Sequence, residues 1–253
     1  MKSALTIELE YGALKIAQAV ANILPYKVAL SLARGAGWAA VKIFRYRQRR
    51  TLGRIRSVFP EKSECEIKAI ALRSLQNMFM NAVEMMRSPK LTRAWMDEHV
   101  KDALMYKERL AKLVDEGNGV VIMVPHSGNW YMAAWAMAKY GLGLFAIAAR
   151  QRNPKLEQWM NRQYGEVEVL DRDDKTTLVK IVHKLRNGAA FAILPDLRVW
   201  DEDVDAEFLG GHANVSRAGA AFAVKCNSPI VVAQMYRENG RHIFNHIQLF
   251  QGR

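Results

Sequence analysis

The chain has 253 residues, half of them hydrophobic and a quarter charged, which suffices for a full core and excludes an intrinsically disordered protein. Lysine and arginine number 37 against 25 aspartate and glutamate, and the net charge of +12 either serves solubility or meets an anionic partner: nucleic acid, an anionic membrane surface or a phosphorylated substrate. Two distant cysteines, Cys65 and Cys226, exclude a disulfide framework and a CxxC-type zinc site, and they fit a reducing compartment.

The first residues, Met1 to Leu5, carry no secretory pattern. Two mostly apolar stretches follow, 12–24 and 28–44, split by Pro25-Tyr26-Lys27. Neither reaches the ~20 apolar residues that span a bilayer, and Lys15, Lys27, Arg34 and Lys42 interrupt them. They read as a helical hairpin, either amphipathic or buried. A basic collar, Arg45-Tyr46-Arg47-Gln48-Arg49-Arg50, comes next. The pair suits either a contact with the membrane interface, with basic side chains on lipid phosphates, or plain packing on the domain. As a nucleic-acid site the arginine patch stands alone, with no binding module beside it. The organisation expected is therefore an N-terminal hairpin and collar over 1–50, followed by one domain over 51–253.

Residues 61–87 read as a helix started by Pro60 and Glu61, with Ile67, Ile70, Ala71, Leu75, Met78 and Phe79 at helical spacing. Met78, Met80, Met85 and Met86 suit core packing, and the alternative is an acyl groove. Ser88-Pro89 breaks the run, and a further amphipathic helix covers 102–116. From there strands and helices alternate: strands at 120–124, 144–149, 167–170, 189–194, 229–234 and 242–249, with helices at 130–140, 154–164, 176–186 and 215–225. The alternation predicts an α/β fold with a central, largely parallel sheet flanked by helices.

In such sheets, sites gather at the carboxyl ends of strands. The apolar run Val120 to Val124 stops at Pro125, and His126 follows in a Ser-Gly-Asn loop ahead of a helix. A histidine there can offer a neutral imidazole to a hydroxyl group as general base. Arg150 follows the next strand, and Asp196 and Arg198 follow the strand ending at Leu194-Pro195. A base, a carboxylate and two guanidiniums at one mouth suit an anionic substrate. His242 and His246 lie in strand-like surroundings whose geometry does not suit a shared metal ion, and no metal is expected.

The block Pro125-His126-Ser127-Gly128-Asn129-Trp130 resembles the His-[ST]-Gly-Asn-Trp block of the bacterial lipid A late acyltransferases (lauroyl and myristoyl transferases) and the related phosphatidylinositol mannoside acyltransferases. Further blocks agree in order. Arg150 with Asn153-Pro154, Arg172, Leu185-Arg186-Asn187-Gly188, Leu194-Pro195-Asp196, and Phe208-Leu209-Gly210-Gly211-His212-Ala213 ahead of Gly219 are similar to the family's, as are Phe59-Pro60 and Glu84 upstream. The resemblance spans about residues 25–237.

This resemblance implies a glycerolipid-acyltransferase-like fold and an O-acyl transfer from a thioester, carried by acyl carrier protein or coenzyme A, to a hydroxyl of a glycolipid or lipid A precursor. It implies no cofactor and no nucleic acid. The partners are an anionic lipid or glycolipid, the acyl donor and a membrane surface, at the cytoplasmic face of the inner membrane. His126 is then the general base. Backbone N–H groups of Ser127, Gly128 and Asn129 face the oxyanion, and Tyr131, Arg150, Arg198 and Gly210 contact substrate. Three departures stand out. The family's His-x4-acid pair would put a carboxylate at residue 131, where this chain has Tyr131, so Asp196 is expected to take over as the partner of His126. His212 and Asn214 replace the usual residue types. The Trp-x-His-Arg-Arg-like ending is missing before Arg253, as in a shortened domain or a fragment. The alternative reading, from Tyr131, is a lipid- or acyl-binding relative with weakened or lost catalysis.

Overall fold

The computed structural model describes residues 3–46, 48–115, 117–197 and 203–250. In chain order the helices are α1 (Ala4–Ile23), α2 (Tyr26–Lys42), α3 (Gln48–Val58), α4 (Glu64–Arg87), α5 (Arg93–His99), α6 (Ala103–Asp115), α7 (Trp130–Lys139), α8 (Pro154–Tyr164), α9 (Thr177–Arg186) and α10 (Ala218–Cys226). The strands are β1 (Val100–Lys101), β2 (Val120–Met123), β3 (Leu144–Ala148), β4 (Glu168–Asp171), β5 (Ala190–Ile193), β6 (Val204–Phe208), β7 (Gly211–Val215), β8 (Ile230–Glu238) and β9 (Arg241–Phe250). The α/β alternation expected from residue 120 onward is present. The basic collar carries a helix of its own, α3. Two further elements, α5 with β1 and the β6–β7 hairpin, have no counterpart in the sequence reading. The helix expected from 61 begins at Glu64. A reciprocal cap sets that start: the Ser63 N–H donates to Glu66 at 2.9 Å, and Ser63 Oγ accepts from the Glu66 N–H at 3.3 Å. The helix expected from 215 begins at Ala218, because β7 claims the residues up to Val215.

The chain forms two compact units, one of 1–8, 88–205 and 214–253, the other of 9–87 and 206–213. The first contains a seven-stranded sheet in the order β1-β9-β8-β2-β5-β3-β4. The five strands from β8 to β4 run parallel, while β9 pairs antiparallel with β8 and β1 pairs parallel with β9. Central strands such as β2 (Val-Val-Ile-Met) read as continuous apolar runs because helices cover both faces of a parallel sheet. Val121, Phe145, Ile181, Leu185, Phe191 and Ala223 form one core cluster between the sheet and α9 and α10.

In the second unit α2 packs along α4. The buried positions of α2 are Ala29, Ala33 and Gly37, a stripe at every fourth residue. A Cβ at Gly37 would lie 2.8 Å from the Gln76 Cα, so glycine is what lets the two backbones approach there. A smaller cluster of Leu52, Ile67 and Ala71, with Ile55 against it, joins α3 to α4. Tyr26 donates to the buried Glu84 carboxylate at 2.6 Å.

Candidate active site

The site begins with strand register. β2 and β5 pair in parallel from Val120 opposite Ala190 to Met123 opposite Ile193. The Val124 N–H, donating to the Ile193 carbonyl at 3.0 Å, carries the pairing one step further. Both strands then run into a proline, Pro125 and Pro195, which has no N–H to continue the ladder. The next residue on each chain is His126 and Asp196, three beyond the paired Met123 and Ile193. Equal length past a shared register puts them side by side. Asp196 Oδ2 accepts from the His126 backbone N–H at 2.7 Å, and Asp196 Oδ1 lies 2.7 Å from His126 Nδ1. An ionised carboxylate only accepts, so Nδ1 carries the proton and Nε2 keeps its lone pair. Both side chains are about a third exposed, 31% and 30%, so the pair opens on solvent. The edge of the imidazole meets the Trp130 ring, with centroids 5.0 Å apart and planes at 69°.

The other side of the loop is pinned to β8. Gly128 bridges to Met235, and the Asn129 N–H donates to the Met235 carbonyl at 3.1 Å. Gly128 sits at φ +60°, and a Cβ there would lie 1.6 Å from the Met235 oxygen. Only glycine fits. Asn129 is fully buried, and its Oδ1 accepts from the Met132 N–H at 3.0 Å as the N-cap of α7. The backbone N–H and the Oδ1 of Asn129 thus both hold the loop.

Tyr131, in the first turn of α7, lies among rings: Trp130 at 5.2 Å, Trp135 at 5.8 Å and Tyr164 at 6.4 Å between centroids. Burial pushes its phenol up, opposed in part by the Trp130 indole N–H. Burial, then the neighbouring Tyr131 and Glu157, push the Tyr164 phenol up further. Both stay neutral at physiological pH, so neither supplies the negative charge that a carboxylate at 131 would carry.

Arg150 leaves the end of β3, with its Nε 2.5 Å from Asp171 Oδ2 at the end of β4. The arginine remains well exposed while Asp171 is mostly buried. Since β2, β5, β3 and β4 are consecutive neighbours, His126, Asp196, Arg150 and Asp171 follow one another along the carboxyl edge of the sheet. Ser127 lies in the exposed part of the same loop as His126. Gly210, at φ +74°, forms with Leu209 at φ +52° the turn of the β6–β7 hairpin and belongs to the helical unit. Arg198 lies outside the described residues. Two participants escape sequence reasoning: Met235, which acts through a backbone carbonyl that no side-chain type announces, and Asp171, whose partner is 21 residues away on a neighbouring strand. Among the described residues no cluster of histidine, cysteine, aspartate and glutamate suits a metal ion.

A part-exposed histidine whose Nδ1 is held by a carboxylate has the arrangement of a positioned general base. Residues 8–248 match the model of the family described as bacterial lipid A biosynthesis acyltransferase. No curated protein matches the chain.

Proposed function

The chain belongs to the bacterial lipid A biosynthesis acyltransferase family, and from that premise we propose that this O-acyltransferase uses His126 as its base and Asp196 as the acid that holds it. The observation that carries the reading is the 2.7 Å contact of Nδ1 with Asp196, which frees Nε2 for the substrate. Nε2 takes the proton of an acceptor hydroxyl, and the oxygen attacks the carbonyl carbon of a thioester from acyl carrier protein or coenzyme A. Asp196 steadies the resulting imidazolium. Backbone N–H groups of the Ser127-Gly128 turn meet the oxyanion. The tetrahedral intermediate then expels the thiolate, which takes the proton back from His126. The products are an ester and a thiol, with no group left on the enzyme. Arg150, anchored through Nε by Asp171, turns the rest of its guanidinium to a phosphate of the lipid or the carrier.

The acceptor is a lipid, and the proposed workplace is the cytoplasmic surface of the inner membrane. No helix among the described residues is long and apolar enough to cross a bilayer. α1 instead leaves Leu9, Ile16, Val20 and Ile23 exposed, at a spacing that repeats along one side of a helix. Such a face suits a helix lying in the interface.

Tyr131 supports the rival reading, an acyl-binding relative without turnover. One experiment separates the two: thioester consumption with acyl carrier protein or acyl-CoA as donor and a lipid A precursor as acceptor. The enzyme reading expects ester formation that His126→Ala removes, with unchanged thermal unfolding. Lipid binding without His126-dependent transfer would establish the rival.

A further inference from the structure

The helical unit holds an open cavity of about 260 Å³ lined by residues of α2, α3 and α4 and by Tyr46, which the chemistry above does not use. Its walls divide by polarity. Val41, Leu52, Ala71 and Leu75 are apolar, while Lys42 and Lys68 lie at opposite helices with exposed side chains. Among the described residues neither lysine has an ion-pair partner within 4 Å. The acidic neighbours of Lys68 on its own helix are engaged elsewhere. Glu64, whose charge Lys68 does feel, is clasped by Arg56, and Glu66 is held by Ser63. Beside the cavity the chain turns at Arg45 and leaves Ile43, Phe44 and Tyr46 exposed, at 62%, 76% and 54%. Large apolar side chains set among lysine and arginine match a bilayer surface, where rings and aliphatic groups enter the interface and cations meet phosphates.

We propose that this cavity binds the phosphate headgroup and upper acyl chain of an anionic phospholipid of the bilayer, as a site separate from the catalytic one. The two lysines hold the phosphate. The wall of Val41, Leu52, Ala71 and Leu75, with Met78 at its edge, takes the first methylenes of one chain. The site rests on the interfacial reading above and deepens it, since it names the lipid that the basic collar selects.

The test uses the full chain with two probes: vesicles of phosphatidylcholine with or without phosphatidylglycerol, and a short-chain lysophosphatidylglycerol kept monomeric, followed by calorimetric titration. Lys42→Gln with Lys68→Gln should weaken binding to phosphatidylglycerol vesicles ~30-fold, at roughly fivefold for each lysine near an anionic surface. Binding to phosphatidylcholine should stay unchanged. Ser74→Trp, at an exposed lining position, fills the cavity and keeps both charges. It should weaken both the vesicle and the monomer binding by roughly tenfold. If the lysine pair matters but Ser74→Trp binds as well as wild type, the lysines act only as a charged surface and the cavity site is overturned. Wild-type behaviour of both variants overturns it as well. If wild type binds the monomeric lipid in a Ser74-sensitive way yet ignores vesicles, the interfacial reading falls and the site stands.

Discussion

The two units differ in where most of their large apolar residues lie. In the sheet unit large side chains fill a core: Val120, Val121, Ile181, Leu185 and Phe191 are fully buried, while Leu178, Val179 and Val224 lie outside it. In the helical unit Leu52, Ile67 and Met85 are buried, but many large ones are outside, among them Leu9, Ile16, Val20, Ile23, Leu32 and Phe44, while the buried positions of α2 are Ala29, Ala33 and Gly37. The sheet unit is therefore organised around its own core, where backbone register sets the positions of functional groups. The helical unit is held by the close approach of α2 to α4 and by a small cluster around Leu52 and Ile67, and many of its bulky hydrophobic groups stay exposed. Apolar content in a sequence thus carries two meanings, and only the side on which the small residues lie distinguishes them.

The sharpest way to break the sheet side of this contrast is Gly128→Ala. The added carbon collides with the Met235 carbonyl and φ is positive, so the loop must leave β8. Transfer should fall to background, and thermal unfolding should show a loss of at least ~2 kcal/mol. Asp196→Asn keeps the shape and removes the charge beside His126. The expected result is a fall in kcat of about 100-fold or more with little change in Tm, because the imidazolium loses its counter-charge. Unchanged turnover would mean that another group partners the histidine.

On the helical side, Ile16→Ser with Val20→Ser should lower vesicle affinity about tenfold or more. Stability should move by less than ~0.5 kcal/mol, as for exposed positions with no core role. A large drop in stability would show that this face packs within the protein. The smallest effect is expected of Tyr131→Phe. The ring keeps its neighbours Trp135 and Tyr164 and only the hydroxyl is lost, so activity should stay within about twofold. A large loss in kcat would give the phenol a role of its own.

Much of the sheet was legible. α8 coincides with the run of 154–164, and β2 with the run that ends ahead of Pro125, because burial on both faces and helix-breaking residues leave local marks. α3 was not, since four arginines hide an amphipathic pattern whose one buried residue is Leu52. The β6–β7 hairpin was also missed. It is mostly exposed, so no alternation of apolar and polar residues marks it, and its turn pairs Gly210 with Leu209, a residue that seldom adopts positive φ. At the site, His126 and its loop stand out through Pro125, Gly128 and the following helix. The work of Asn129 does not, because a buried cap and a substrate donor look alike as letters.

The sequence by itself determined most of the alternation of strands and helices after residue 120, the histidine at a strand exit and the absence of an acid at position 131, since each depends on neighbours within a few residues. The tertiary structure decided what answers that histidine. Tyr131, five residues away, turns into an aromatic cluster, while Asp196, seventy residues away, meets the imidazole. Two parallel strands in register, each ended by a proline, carry the two side chains the same distance past the sheet, and that alignment exists only once β2 and β5 have paired.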